Sequence, residues 1–291
     1  MKKILYAVSL SLAIYSCTTK KTEENKTVAI DTIVPVAPTL TMQWETDSVF
    51  TTVESVLYDK NNNIIYTSNI DGDPLKKDKN GFISKISPDG KVIQLKWVSG
   101  LNAPKGSTTM NGKFYVTDID QLVEINIADS SVTKKYPVPG AIFLNDAAND
   151  GKNVYFSDTK TGKIHILKDG KVSTFATGKI GANGLAVNNR GELFLLDNNG
   201  LRKFGLADTT STFINEAVTG GDGLVIINDS TYIASRWQGE IYLIRNGKET
   251  LLLDTKAQGS NTADIDYIAD KKLVLVPTFM KNKIVAYKLD Y

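Results

Sequence analysis

The chain has 291 residues, and its 34 Lys and Arg nearly balance its 32 Asp and Glu, which gives a net charge of +2. The two signs are interspersed without a basic stripe, which argues against nucleic acid as a partner. Cys17 is the only cysteine, so the globular part of the chain has no disulfide, no thiol nucleophile and no thiolate metal site.

Residues 1–16 are typical of a secretory leader. A basic start precedes an uncharged run from Ile4 to Ser16, which is shorter than the ~20 residues that a bilayer-spanning helix needs. The following Ile14-Tyr15-Ser16-Cys17 looks like a bacterial lipobox, with Tyr15 an imperfect match. We therefore predict cleavage before Cys17 and lipidation of its sulfur. The alternative is an ordinary signal peptide with a chance cysteine.

Residues 17–40 are rich in Thr, Lys and Glu and then in Pro and Val, which predicts a flexible tether. The tether would join the anchor to a single globular domain over 41–291. We expect an exported, membrane-anchored bacterial lipoprotein. Thr18 provides no acidic retention signal, which favours the outer membrane or the periplasmic face.

A strand–turn–strand module recurs through the globular region. Its clearest copy is Gly181 to Asp197, where two apolar runs flank a turn at residues 188–191. Equivalent polar positions in six copies are separated by 51, 40, 38, 39 and 42 residues. A period near 40 with a hairpin in each copy predicts an all-β, six-bladed propeller with four-stranded antiparallel blades.

The remaining elements fit this plan in chain order. Thr41 to Thr52 is predicted to be a strand that completes the last blade and closes the ring, which removes exposed sheet edges. Asn69 to Gly81 is a polar insertion that explains the long first interval and predicts a loop on one face. No segment after the leader shows sustained helical periodicity.

The equivalent polar positions mark the start of the innermost strand of each blade, and we expect them to converge at one mouth of the central channel. Carboxylate and amide oxygens are the ligands that calcium and similar cations prefer. The alternative is that these residues only form turns, because Asn-Gly and Asp-Gly are also common turn dipeptides. The predicted positions are Glu54, Lys105, Asn145, Asn183, Asp222 and Asp264.

These residues resemble those of the gluconolactonase/regucalcin (senescence marker protein) family of six-bladed propellers, which is similar to paraoxonases. The resemblance covers roughly residues 45 to 290. It implies that Glu54, Asn145 and Asp222 bind a metal ion, that Asn183 adds a ligand as in paraoxonase-like members, and that Asp222 also acts as a base. Glu54 is followed by Ser-Val where the family has Gly-Pro.

A second departure lies in blade two, where Pro104-Lys105-Gly106 replaces the substrate-side Asn-Asp-Gly of gluconolactonases. Lys105 could bind an anionic substrate group, polarise a carbonyl or weaken cation binding, or it could point into solvent. Sugar-lactone specificity is therefore not transferable.

The remaining candidates are less specific. His165, the only histidine, is expected on the second or third strand of blade three, away from the axis, as a surface or packing residue, which disfavours a Ser-His-Asp triad and a His-assisted paraoxonase mechanism. Arg236 and Trp237 follow the inner hairpin of blade five and could face the channel mouth or pack between blades. Asp264 could shape the site or pair with Lys105.

Two classes of function follow. The first is a metal-dependent hydrolase of the lactonase or esterase type, with a small-molecule lactone or ester as substrate, Asp222 as general base and Lys105 as a second catalytic group. Calcium is the expected ion, with zinc and manganese as alternatives. The second is a non-catalytic propeller that binds a ligand or partner, with a structural ion or none.

Overall fold

The structure, a computed structural model, describes residues 37–205 and 209–291. These residues form 24 β-strands in six four-stranded antiparallel sheets, which confirms the predicted six-bladed propeller. The predicted leader, Cys17 and nearly all of the tether lie outside the described residues. None of the helical segments in the described part of the chain is long and apolar enough to cross a membrane.

Each blade is built from strands that are consecutive in sequence, with the exception of the last blade. The first strand is β1, Thr39–Glu45. Blades one to three contain β2–β13: Val53–Asp59, Ile64–Asn69, Gly81–Ile86, Val92–Leu101; Pro104–Met110, Lys113–Asp118, Gln121–Asn126, Val132–Pro137; Leu144–Asn149, Val154–Asp158, Lys163–Lys168, Lys171–Ala176. Blades four to six contain β14–β24: Leu185–Val187, Leu193–Asp197, Gly200–Phe204, Ser211–Asn215; Leu224–Asn228, Thr231–Arg236, Glu240–Arg245, Lys248–Asp254; Asp266–Ile268, Leu273–Pro277, Ile284–Asp290. Two short 3₁₀ segments, Lys256–Gln258 and Ala269–Lys271, lie in blade six and the loop that leads into it.

The ring is closed by β1, which pairs antiparallel with β24 and becomes the outermost strand of blade six. The register runs from Thr39 opposite Asp290 to Glu45 opposite Val285. The strand predicted over 41–52 is therefore displaced towards the N-terminus, and residues 46–52 instead turn inward to blade one. This turn is held by the Thr46 N–H, which donates to the Ile284 carbonyl at 3.0 Å.

The core is divided among the blade interfaces. Each main apolar cluster combines buried residues from two neighbouring blades, because each of the six sheets packs against the sheets on both sides of it. Between blades one and two, Tyr66, Trp97 and Phe114 form an aromatic group whose ring centroids are 4.9 to 5.7 Å apart. Such pairs stabilise the interface beyond their area burial.

Near the axis, hydroxyl groups join successive blades. The Ser68 hydroxyl of β3 donates to the Lys105 carbonyl at 2.6 Å, and the Thr117 hydroxyl of β7 donates to the Asn145 carbonyl. The Ser235 hydroxyl of β19 donates to the Ala263 carbonyl at 2.7 Å. In each case a hydroxyl on the second strand of one blade is bonded to the backbone at the start of the next blade's innermost strand. Lys105 and Asn145 occupy this position in their blades.

Ser235→Ala is expected to destabilise the ring. The Ser235 hydroxyl also accepts the Gly223 N–H at 2.8 Å, so its removal leaves a buried donor and a buried acceptor without this partner. The expected loss in free energy of unfolding is roughly 1–3 kcal/mol, measured by chemical denaturation. Ser230→Ala, in an exposed turn of the same blade, is the control and should stay within about 0.5 kcal/mol of wild type. Equal effects of the two substitutions would contradict the role given to the axial hydroxyls.

Candidate functional site

A cavity of 560 Å³ opens at one mouth of the central channel. Five of the six predicted positions line it, each contributed by a different blade from one to five: Glu54, Lys105, Asn145, Asn183 and Asp222. They converge because the innermost strands all start at this end of the ring. Glu54, Lys105 and Asn145 are each the second residue of their strand. Asn183 and Asp222 lie two residues before the start of theirs.

The glycines that follow these residues have a structural reason other than a turn. Residues 183–184 and 222–223 do not lie in turns, and Gly184 and Gly223 do not have positive φ angles, so the interpretation of Asn183-Gly184 and Asp222-Gly223 as turn dipeptides is wrong. A Cβ atom on Gly184 would lie 2.3 Å from the Asp222 carbonyl oxygen, and one on Gly223 would lie 2.3 Å from the Ile265 nitrogen. Glycine allows the innermost strands of adjacent blades to approach closely at the axis.

Glu54 and Asp222 are the two buried carboxylates of the cavity. Burial raises the pKa of Glu54 well above its usual value; the nearby Asp222 charge raises it further, and Lys105 opposes both. Burial raises the pKa of Asp222 to about 7, although the hydrogen bond from Asn183 acts in the opposite direction. That bond joins Asn183 Nδ2 to Asp222 Oδ1 at 2.8 Å.

Two buried oxygens in this cavity receive no hydrogen bond from any residue that the structure describes: Glu54 Oε2 and Asn183 Oδ1. Asn145 is oriented in a similar way to Asn183, since its Nδ2 donates to Thr159 Oγ1 at 3.1 Å, and the Thr159 hydroxyl donates to the Ala182 carbonyl at 2.8 Å. In both asparagines the amide nitrogen is bound by the protein. Their carbonyl oxygens remain as acceptors for another group.

This set of oxygens fits a divalent cation. It offers two carboxylates and two amide carbonyls, which are hard ligands of the kind that calcium binds, and buried oxygens without donors are otherwise costly. Among residues 37–205 and 209–291, no cluster of three or more His, Cys, Asp or Glu side chains is arranged to hold a metal ion. An ion in this cavity would therefore depend on the two asparagines.

Lys105 is buried, with 1% of its surface exposed, so the alternative that it points into solvent is wrong. Its Nζ donates to the Ala103 carbonyl at 3.0 Å and to the Pro74 carbonyl at 3.2 Å, and lies 4.5 Å from the centroid of the Phe143 ring. Burial lowers the pKa of Lys105, while Glu54 and Asp118 raise it. An ammonium has three donors, so one remains available after the two carbonyls.

A second cavity, of 340 Å³, is lined by inner-strand residues further along the chain than those at the mouth, including Asp146, Asp264 and Asp266. Asp264 was predicted at the mouth, but the position there belongs to Ala263, whose carbonyl accepts the axial hydroxyl bond of its blade. The sequence register of blade six was thus wrong by one residue. No ion pair joins Asp264 to Lys105 among the ion pairs of the described residues.

Of the other residues that the sequence singled out, only Trp237 lines the mouth cavity. His165 lies on β12, the third strand of blade three, and is buried against Phe156 with ring centroids 5.4 Å apart, so of the two predicted roles, surface or packing, it has the packing role. Arg236 pairs with Glu240 at 3.1 Å. Trp237 lines the mouth cavity and meets Phe279 edge-on, with ring centroids 5.4 Å apart.

Sequence reasoning missed the walls of the cavity. Ile70 and Pro74 come from the polar insertion of blade one, Phe143 precedes β10, and Phe279 follows β23. These residues lie in loops outside the repeated motif, so no periodic signal marks them. The one available signal was the presence of apolar residues in loops that are otherwise polar.

No model of a protein family matches this sequence, and no curated protein does. Solved structures do match. A protein provisionally named a gluconolactonase is 15% identical, with a TM-score of 0.61 over 88% of this chain and 93% of that one. An inactive histidine-to-alanine variant of virginiamycin B lyase from Staphylococcus aureus, with quinupristin, is 14% identical, with a TM-score of 0.59 over 87% and 99%. A chain of a nidogen/laminin complex is 12% identical, with a TM-score of 0.58 over 80% and 87%.

The feature that these three structures share with this chain is the fold. The distant resemblance to gluconolactonase-like propellers is confirmed at that level. Because one architecture is shared by a lyase, a protein named as a lactonase and a member of a protein complex, the fold does not select among their activities.

Stability should fall with rising pH in part because of Asp266. Burial raises the pKa of Asp266 from 3.8 to about 6, although its carboxylate accepts the Tyr58 and Tyr267 N–H groups at 2.6 and 2.7 Å. The folded state therefore holds this proton more tightly than the unfolded state. Its contribution is fully present below pH 4 and is lost as the pH rises to about 6, with a total of at most about 3 kcal/mol.

The measurement is the free energy of unfolding from pH 4 to 8 for wild type and Asp266→Asn. The variant should show a flatter decline between pH 4 and 6, while the exposed control Asp270→Asn should follow wild type. A variant curve parallel to wild type would contradict the assignment.

Proposed function

We propose that this protein is a metal-dependent hydrolase of the lactonase or esterase type, lipid-anchored through Cys17 outside the cytoplasm. The observation that carries the catalytic proposal is the pair of buried oxygens without donors, Glu54 Oε2 and Asn183 Oδ1, in a cavity that also contains Asp222. A cation bound there would satisfy both oxygens and offset the charge of the two buried carboxylates.

Glu54, Asn145, Asn183 and Asp222 would hold the ion, with calcium as the expected metal and zinc or manganese as alternatives. When bound, the ion would polarise the carbonyl of an ester or lactone and stabilise the negative charge that develops on its oxygen. The two asparagine carbonyls need little rearrangement for this role, because their amide nitrogens are already held by Thr159 and Asp222.

Asp222 would act as general base. It accepts a proton from water while the water oxygen bonds to the carbonyl carbon, and the proton passes to the leaving oxygen when the ester C–O bond breaks. Asn183 holds Oδ1 of Asp222, which leaves the second carboxylate oxygen for water or metal. Lys105 has one donor beyond its two backbone carbonyls, and this donor would bind an oxygen of the substrate.

A lyase activity that depends on histidine is not favoured. The histidine-to-alanine variant of virginiamycin B lyase is catalytically inactive, whereas the single histidine here, His165, packs against Phe156 in the third strand of its blade. The second candidate function is a binding propeller without turnover. It is favoured by the replacement of the family's Gly-Pro after Glu54, and by Lys105 in blade two.

Addition of calcium, zinc or manganese to metal-free protein is expected to raise Tm. At a concentration 100 times Kd, a ligand that binds only the folded state adds about 2.7 kcal/mol, which is roughly 5–10 °C for a domain of this size. Glu54→Gln should abolish most of this rise, because it removes one ligand charge. The exposed control Glu216→Gln should retain it. No shift with any of the three metals would refute the ion site.

Asp222→Asn is expected to lower hydrolysis of a lactone and ester panel at least 100-fold with the native fold retained, since a general base contributes about that much. Asp229→Asn, which changes an exposed aspartate paired with Arg190, is the matched control and should keep full activity. If wild type binds a metal but turns over no lactone or ester, the binding propeller replaces the hydrolase.

A further inference from the structure

The walls of the mouth cavity differ in chemistry from its floor. The floor carries the charged and amide groups described above, whereas the walls are formed by five apolar residues: Ile70, Pro74, Phe143, Trp237 and Phe279. They come from blades one, three, five and six, so they face the cavity from several sides. A ligand whose reactive carbonyl lies at the floor would have its remaining atoms against these walls.

Polar groups on the walls are few and are already bound or exposed. The Thr159 hydroxyl accepts from Asn145 and donates to the Ala182 carbonyl. Lys160 and Gln238 also line the cavity and are exposed to solvent. A polyhydroxylated ligand would lose water from several hydroxyl groups against Phe143, Trp237 and Phe279 without fixed partners, which is unfavourable.

Two exposed apolar residues are next to wall residues in the sequence. Ile142 is 52% exposed and precedes Phe143, and Met280 is 63% exposed and follows Phe279. The turns at the opposite end of the blades are polar, as in residues 60–63, 188–191 and 246–247. Exposed apolar residues beside a concave site mark a binding surface more often than scattered surface residues do.

From these observations we infer that the ligand is an ester or lactone with an apolar substituent, an alkyl chain or an aromatic ring, and that Trp237 and Phe279 bind this substituent. The inference rests on the proposed function for the ester or lactone group and on the cavity walls for the apolar substituent. A sugar lactone is excluded as the preferred ligand.

The test uses γ-lactams with alkyl chains of one to eight carbons, which are nitrogen analogues of lactones that resist hydrolysis. Binding to the full chain, loaded with calcium, is measured by isothermal titration. Each added methylene is expected to tighten binding about fourfold until the cavity is full, because burial of one methylene contributes a factor of about this size. Hydrolysis of the matching γ-lactones and of glucono-δ-lactone is measured separately.

Substitutions test whether the alkyl chain binds at the cavity walls. Trp237→Ala should weaken binding of the octyl lactam at least tenfold and leave the methyl lactam nearly unchanged, and Trp237→Phe should recover most of the loss. The matched control is Phe213→Ala, because Phe213 is an aromatic residue with 43% exposure, against 40% for Trp237, but lies on the outer strand of blade four. This control also reports binding of alkyl chains elsewhere on the protein.

The outcomes separate the two proposals. Chain-length-dependent lactam binding without lactone hydrolysis would retain the apolar ligand class and refute the hydrolase. Lactone hydrolysis without chain-length dependence, or with glucono-δ-lactone as the best substrate, would retain the hydrolase and refute the apolar class. Equal losses in Trp237→Ala and Phe213→Ala would also refute it.

Discussion

The close approach of the innermost strands at the axis is the constraint on which the site depends. Glycines such as Gly184 and Gly223 allow neighbouring backbones to meet where a Cβ atom would not fit, and the axial hydroxyls of Ser68, Thr117 and Ser235 bond across the same gap. These contacts fix the start of each innermost strand at the same level along the propeller axis. Side chains at that height converge without any helix or long loop to position them.

Convergence also creates an electrostatic cost. Glu54, Asp146, Asp222, Asp264 and Asp266 all have pKa values raised by burial, and Lys105 is the cation that opposes Glu54. Evolution of a stable propeller alone would favour neutral residues here, since buried charges without partners are destabilising. Their presence is consistent with a cation, a proton or a substrate dipole as part of the working protein.

The fold could be predicted from sequence because every blade repeats the same hairpin and turn residues at a nearly constant interval. The mouth residues of blades one to five could be predicted for the same reason. The prediction for blade six was wrong by one residue. Asp264 has the expected carboxylate, but the axial hydroxyl of Ser235 bonds to the carbonyl of Ala263, which therefore occupies the equivalent position. Burial of Lys105 depends on Pro74 and Phe143, which come from loops of unrelated sequence, so periodicity carries no information about it.

Ring closure has a consequence for how the molecule is made. Because β1 pairs with β24, β1 has no strand partner until β24 has been synthesised, roughly 240 residues later. Blades one to five can form in order from local hairpins, yet the sheet of blade six must wait for a contact that spans nearly the whole domain. A chain in which β24 is missing or not yet made would therefore expose an open sheet edge in blade six.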